Sequence, residues 1–97
     1  MKFPESSPKQ SNITRVASAA ADTLILAGND SRNGAIIFNE STAILYLNLS
    51  KSTASLTNYS VQVAAGGTYL NKYTDYCGEI RGIWAAANGA AMVTEFL

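Results

Sequence analysis

Histidine is absent from this chain, cysteine occurs once and proline twice. With Cys77 as the lone thiol and no imidazole, neither an intrachain disulfide nor a zinc site of the thiolate–imidazole kind can be assembled. The same shortage thins the catalytic inventory, because a cysteine or serine nucleophile needs a neighbouring base and imidazole is the commonest one. Charge is also scarce: only 14% of residues are charged, and seven basic side chains cancel seven acidic ones. A nucleic-acid binder carries a basic surplus that displaces counterions from phosphates, so no nucleic-acid partner is expected. No apolar run approaches the roughly 18 residues that cross a bilayer, so no membrane partner is expected either. Met1 to Pro8 holds a lysine with no apolar core behind it, which is unlike a secretory leader, and synthesis and folding in the cytosol are expected. Asn-x-Ser/Thr triplets begin at Asn12, Asn29, Asn39, Asn48 and Asn58, and without a leader they reflect an Asn-, Ser- and Thr-rich composition rather than glycan acceptors.

What is present is apolar. The chain has 97 residues, of which 47% are hydrophobic, enough for one domain with a modest core and too apolar for a disordered chain. Residues 1–11 are polar, contain both prolines and show no periodicity, so they read as a flexible N-terminal arm. From Asn12 to Leu97 the chain reads as a single domain. Short runs rich in Ile, Val, Leu, Thr and Tyr alternate with Gly, Asn, Asp and Ser clusters, the punctuation of an antiparallel sandwich or barrel. The runs predict strands at 13–19, 22–27, 34–39, 43–49, 58–64, 67–71, 78–87 and 90–96. No stretch sustains helical spacing over three turns, and Ala17 to Ala21 is too short to hold as a helix alone. The expected fold is therefore all-β: an antiparallel β-sandwich, jelly-roll-like or Ig-like, of about seven or eight short strands.

Two hairpins are predicted. Asn88-Gly89 suits a type I′ turn, which would set Trp84 opposite Val93 and Ile83 opposite Thr94. Alternation then places Trp84, Ala86, Ala91 and Val93 on one face and Ile83, Ala85 and Met92 on the other. The second hairpin would join 35–38 to 44–47 through Asn39-Glu40-Ser41-Thr42. In both, the two faces are apolar, which implies that some of this surface is buried between chains.

The search for chemistry yields little. Cys77 has no base to activate it and reads as a small buried side chain. Asp75 and Glu79 are close in sequence but supply two carboxylates where calcium wants six to eight oxygens. Gly66-Gly67 lies between two expected strands and opens no helix, so it is a turn rather than a phosphate cradle. Serines have no Gly-x-Ser-x-Gly frame. No catalytic activity, cofactor or metal is expected. Tyrosine is the remaining hint: Tyr69, Tyr73 and Tyr76 fall close together among short polar residues, which suits either a contact surface or a cap on the core. Phe3, Tyr46, Tyr69, Tyr73, Tyr76 and Met92 are the candidate interface residues.

The stretch from Gly34 to Phe96 resembles a class of small accessory proteins of tailed bacteriophages, of the head decoration or cement type. The resemblance is carried by Gly34-Ala35-Ile36-Ile37-Phe38-Asn39-Glu40-Ser41, by Ala43 to Leu49, by Tyr59 to Gly67, and by Gly78 to Glu95 with its Ile83-Trp84-Ala85-Ala86-Ala87-Asn88-Gly89 core. It implies a virion component on the capsid surface, present in many copies, that binds and stabilises the shell of the major capsid protein. It also implies a homo-oligomer, with a trimer at local three-fold positions the expected order, and an arm that orders on docking. Segment 73–77 departs from the pattern, where a proline-aromatic turn is expected. The alternatives are a tail, neck or baseplate structural protein, or a receptor- or carbohydrate-binding module that uses the tyrosine cluster.

Overall fold

A computed structural model describes residues 10–72 and 76–97. Among them there is no helix, and eight strands carry the fold: β1 (Ser11–Ala17), β2 (Thr23–Leu26), β3 (Gly34–Glu40), β4 (Leu45–Asn48), β5 (Val61–Val63), β6 (Thr68–Lys72), β7 (Ile80–Trp84) and β8 (Ala90–Phe96). They form two four-stranded antiparallel sheets, sheet A in the order β1-β8-β3-β6 and sheet B in the order β2-β7-β4-β5. The first strand pairs with the last, the second with the seventh, the third with the sixth and the fourth with the fifth. The chain is thus one long hairpin, tipped by residues 49–60, that has rolled up so that β3 also meets β8 and β4 also meets β7. That is jelly-roll topology, so of the two sandwich types expected the jelly-roll one is present.

Rolling overturns both predicted hairpins. β3 and β4 lie in opposite sheets, as do β7 and β8, so 35–38 does not pair with 44–47 and Trp84 does not pair with Val93. The facing was right for Trp84, Ala91 and Val93, which point into the core from two sheets rather than one, whereas Ala86 lies exposed beyond the end of β7. The turn chemistry explains the difference. Among the described residues no non-glycine has positive φ, and Gly89 is not among the glycines that do, so Asn88-Gly89 cannot be a type I′ turn. Gly89 serves close approach instead: a β-carbon there would collide with the Glu40 carbonyl and with Ser41. The apolar strands gain more by crossing to the facing sheet than by pairing with their sequence neighbours.

The core lies between the sheets and consists of Ile25, Ile37, Leu45, Leu47, Val63, Ile80, Trp84, Ala91 and Val93. A buried polar network seals each end. At one end Asn39, fully buried on β3, donates through Nδ2 to the carbonyls of Ala43 (2.8 Å), Val63 (2.9 Å) and Ala64 (3.2 Å). Its Oδ1 accepts from the Trp84 indole (3.1 Å) and the Ser41 hydroxyl (2.8 Å). At the other end Arg32 is buried and donates to the Ala27 carbonyl (2.6 Å), to the carbonyls of Tyr76 (3.3 Å) and Gly78 (3.2 Å), and to Glu95 (3.0 Å). A buried guanidinium is tolerated because its donors are matched by acceptors. Burial of Asn39 and Asn48 also removes both from the set of conceivable glycan acceptors.

Candidate interaction surface

Antiparallel register fixes which side chains share the outer face of sheet A. Because side chains alternate, the outward residues stand in four rows across β1, β8, β3 and β6. The rows are Ser11–Phe96–Gly34–Lys72, then Ile13–Thr94–Ile36–Leu70, then Arg15–Met92–Phe38–Thr68, and finally Ala17–Ala90–Glu40. The two middle rows and Phe96 are largely apolar. Ile13 and Leu70 flank the second row from the two edge strands and are 68% and 58% exposed. Ile36, Phe38, Met92 and Phe96 are half-buried.

One end of the face is crossed by charge and the other is hollow. Arg15 on β1 reaches over β8 to pair with Glu40 on β3, and its guanidinium also lies 3.6 Å from the Met92 sulfur. At the opposite end Gly34, whose φ of 155° disfavours any residue with a β-carbon, leaves a gap in the sheet surface. The resulting open hollow of about 400 Å³ is lined by Ile36, Leu70, Phe96 and Lys72, with Asn33, Gly34 and Asn71 beside them. Asn71 is 2% exposed, and neither its amide nitrogen nor its oxygen has a hydrogen-bond partner.

The outer face of sheet B is different in kind. Arg81 on β7 pairs with Asp22 (2.7 Å) and with Glu79, and the Asp22 carboxylate also accepts the Ala54 amide (2.8 Å). The hydrogen bond from Arg81 holds the Asp22 carboxyl below its ordinary range, with the Ala54 amide helping and partial desolvation opposing. The two carboxylates in turn hold the Arg81 guanidinium in its charged form more firmly than usual. Beside this triad, Tyr46 and Tyr59 meet edge to face with ring centroids 4.9 Å apart, and Gln62 donates to the Tyr59 hydroxyl (2.8 Å).

The candidate residues named from sequence are scattered over these surfaces. Met92 stands in the third row of the sheet A face, beside Phe38. Tyr46 belongs to the sheet B face. Tyr69 alternates to the inside of β6, opposite Ile37, and Tyr76 also packs against the core, its hydroxyl donating to the Glu79 carbonyl (2.8 Å) and its ring lying over Gly78. The two described members of the tyrosine cluster therefore serve the core side. Phe3 and Tyr73 lie outside the described residues, as does the arm up to Lys9. Gln10 accepts the Leu97 amide (2.9 Å) and Ser11 opens β1, so the sandwich begins a residue or two before the expected boundary. Ile13, Ile36, Phe38, Leu70 and Phe96 were not picked out from sequence as contact residues. The two-sided apolarity of 34–40 and 90–96 was the signal available, but only the strand order shows that their second faces adjoin.

Among the described residues no group of three metal-ligating side chains is gathered, and Cys77 is half-buried with its thiol 3.6 Å from the Arg32 carbonyl oxygen. No helix among them is long and apolar enough to cross a membrane. Compared with protein-family models, with curated proteins and with solved structures, the chain matches none.

Proposed function

We propose that this protein is a structural subunit of a bacteriophage particle, a decoration or cement protein that binds the shell of the major capsid protein and acts by contact rather than catalysis. The observation that carries this reading is the outer face of sheet A, where apolar side chains stand in adjacent rows and Ile13 and Leu70 remain mostly in water. Scattered exposed apolar residues are ordinary, but a contiguous sheet face of them marks an assembly contact. The choice of a phage shell comes from the resemblance of Gly34 to Phe96 to head accessory proteins. Jelly rolls also recur in viral capsid and lectin domains, which agrees with the reading by analogy only.

The test is the composition of purified particles from cells that express the chain. Quantitative gel or mass-spectrometric analysis is expected to find it in copy numbers on the scale of the major capsid protein, with Ile13→Asp lowering its occupancy. A handful of copies per particle points to a tail or neck part instead, and complete absence from particles removes the phage reading.

A further inference from the structure

The row structure of sheet A also says what fits against it. We infer that the occupant of this face is a second copy of the same chain, packed face to face about a two-fold axis that runs along the strands. This rests on reading the face as an assembly contact and names the partner that covers it.

Such a rotation keeps each residue in its row and reverses the strand order, laying β8 over the second copy's β3 and β1 over its β6. In the first row Phe96 then meets Gly34 of the other copy, so an aromatic ring enters the hollow that the glycine leaves. In the second row the two most exposed apolar residues, Ile13 and Leu70, come together across the interface, twice. In the third row Met92 lies against Phe38. At the charged end Arg15 of one copy lies over Thr68 of the other, one strand and one row from that copy's Glu40, which its long side chain can reach diagonally. Knobs meet gaps and opposite charges adjoin under one symmetry operation. A face-to-face contact of this kind closes after two copies, so it replaces the trimer expected from the resemblance.

The size of the face decides the strength. Four strands about 4.8 Å apart and up to seven residues long, at about 3.3 Å per residue, give a footprint near 19 × 23 Å. Two such faces bury about 900 Å² in total, short of the roughly 1,000 Å² that a stable specific interface clears. The dimer is therefore expected to be weak and concentration-dependent rather than obligate.

The experiment is sedimentation velocity on the full chain from low micromolar to millimolar concentration, with Ile13→Asp and Leu70→Asp alongside. Both positions are mostly exposed, so the fold is expected to tolerate either change, which near-ultraviolet circular dichroism checks. The wild-type chain is expected to pass from monomer to dimer, and each variant to dissociate about ten-fold more readily or worse. In a Cys77→Ser background, Ile13→Cys combined with Leu70→Cys is expected to cross-link between chains with a short bifunctional thiol reagent. Neither single cysteine variant is expected to do so, since each residue faces the other type. A monomer at all concentrations, a trimer by mass, or cross-linking by Ile13→Cys alone, as pairing of two β1 edges would give, overturns the proposal. The shell reading fails separately: a wild-type monomer whose Ile13→Asp variant is still lost from particles sinks the dimer alone. A dimer whose Ile13→Asp variant still decorates particles fully supports the dimer and sinks the role of this face on the shell.

Discussion

Trp84 and Asn39 show how single residues hold the two sheets together. The indole is fully buried and its nitrogen donates to an amide that pins three carbonyls of neighbouring segments. Trp84→Ala removes the largest buried side chain and one of the two donors to Asn39 Oδ1, so a loss of roughly 3–5 kcal/mol is expected in chemical denaturation. An equally stable variant would mean that the core closes over the cavity. Asn71 is the opposite case, because its amide is buried with neither polar atom partnered. A buried unsatisfied polar group costs about 1–3 kcal/mol, and an apolar residue of similar shape removes that cost. Asn71→Leu is therefore expected to raise the melting temperature, and a lowered one would show that the amide is satisfied by solvent in the folded state.

At the scale of elements, the outer face of sheet B carries a charge triad that ties the loop before β2 to β7 and to the 50–60 region. Asp22 bridges Arg81 and the Ala54 amide, and its folded-state pKa lies below the ordinary 3.8. A carboxyl whose pKa is depressed by folding releases its proton more readily in the native state. Its contribution is complete above the unfolded value and fades as pH falls through the folded one. Stability is expected to drop on acidification below about pH 4, and Asp22→Asn is expected to flatten that part of the profile while lowering stability at neutral pH. Denaturation midpoints across the acid range read this directly; an unchanged slope in the variant would show that Asp22 does not carry the acid sensitivity. The triad also separates the two outer faces by chemistry, since charges cross the middle of sheet B whereas the Arg15–Glu40 pair lies at one end of sheet A.

For the whole molecule, the pairing of first with last and second with seventh strands makes nearly every ladder non-local. Long loops must close before these contacts form, so a topology of this kind folds slowly for its size. It also builds the last strand into the centre of the fold: β8 is a central strand of sheet A, and the Asn33 amide donates to the Phe96 carbonyl at 2.7 Å. The same arrangement builds the apolar face of sheet A from four strands far apart in the chain, so that face exists only once the roll is complete.

Period-two alternation of apolar residues, short runs and frequent turn residues were enough to determine the strand content, the sandwich class and the inward direction of Trp84, Ala91 and Val93, because those depend on local geometry alone. The same pattern announced that several strands were apolar on both sides. It could not say which second faces adjoin, because alternation is blind to the partner of a strand. Only the rolled topology brought Ile13, Ile36, Phe38, Leu70, Met92 and Phe96 onto one surface, turned Tyr69 and Tyr76 toward the core, and converted two apparent hairpins into crossings between sheets. Strand partners are chosen by the burial of the whole core, and that is a property of the folded chain rather than of any window of its sequence.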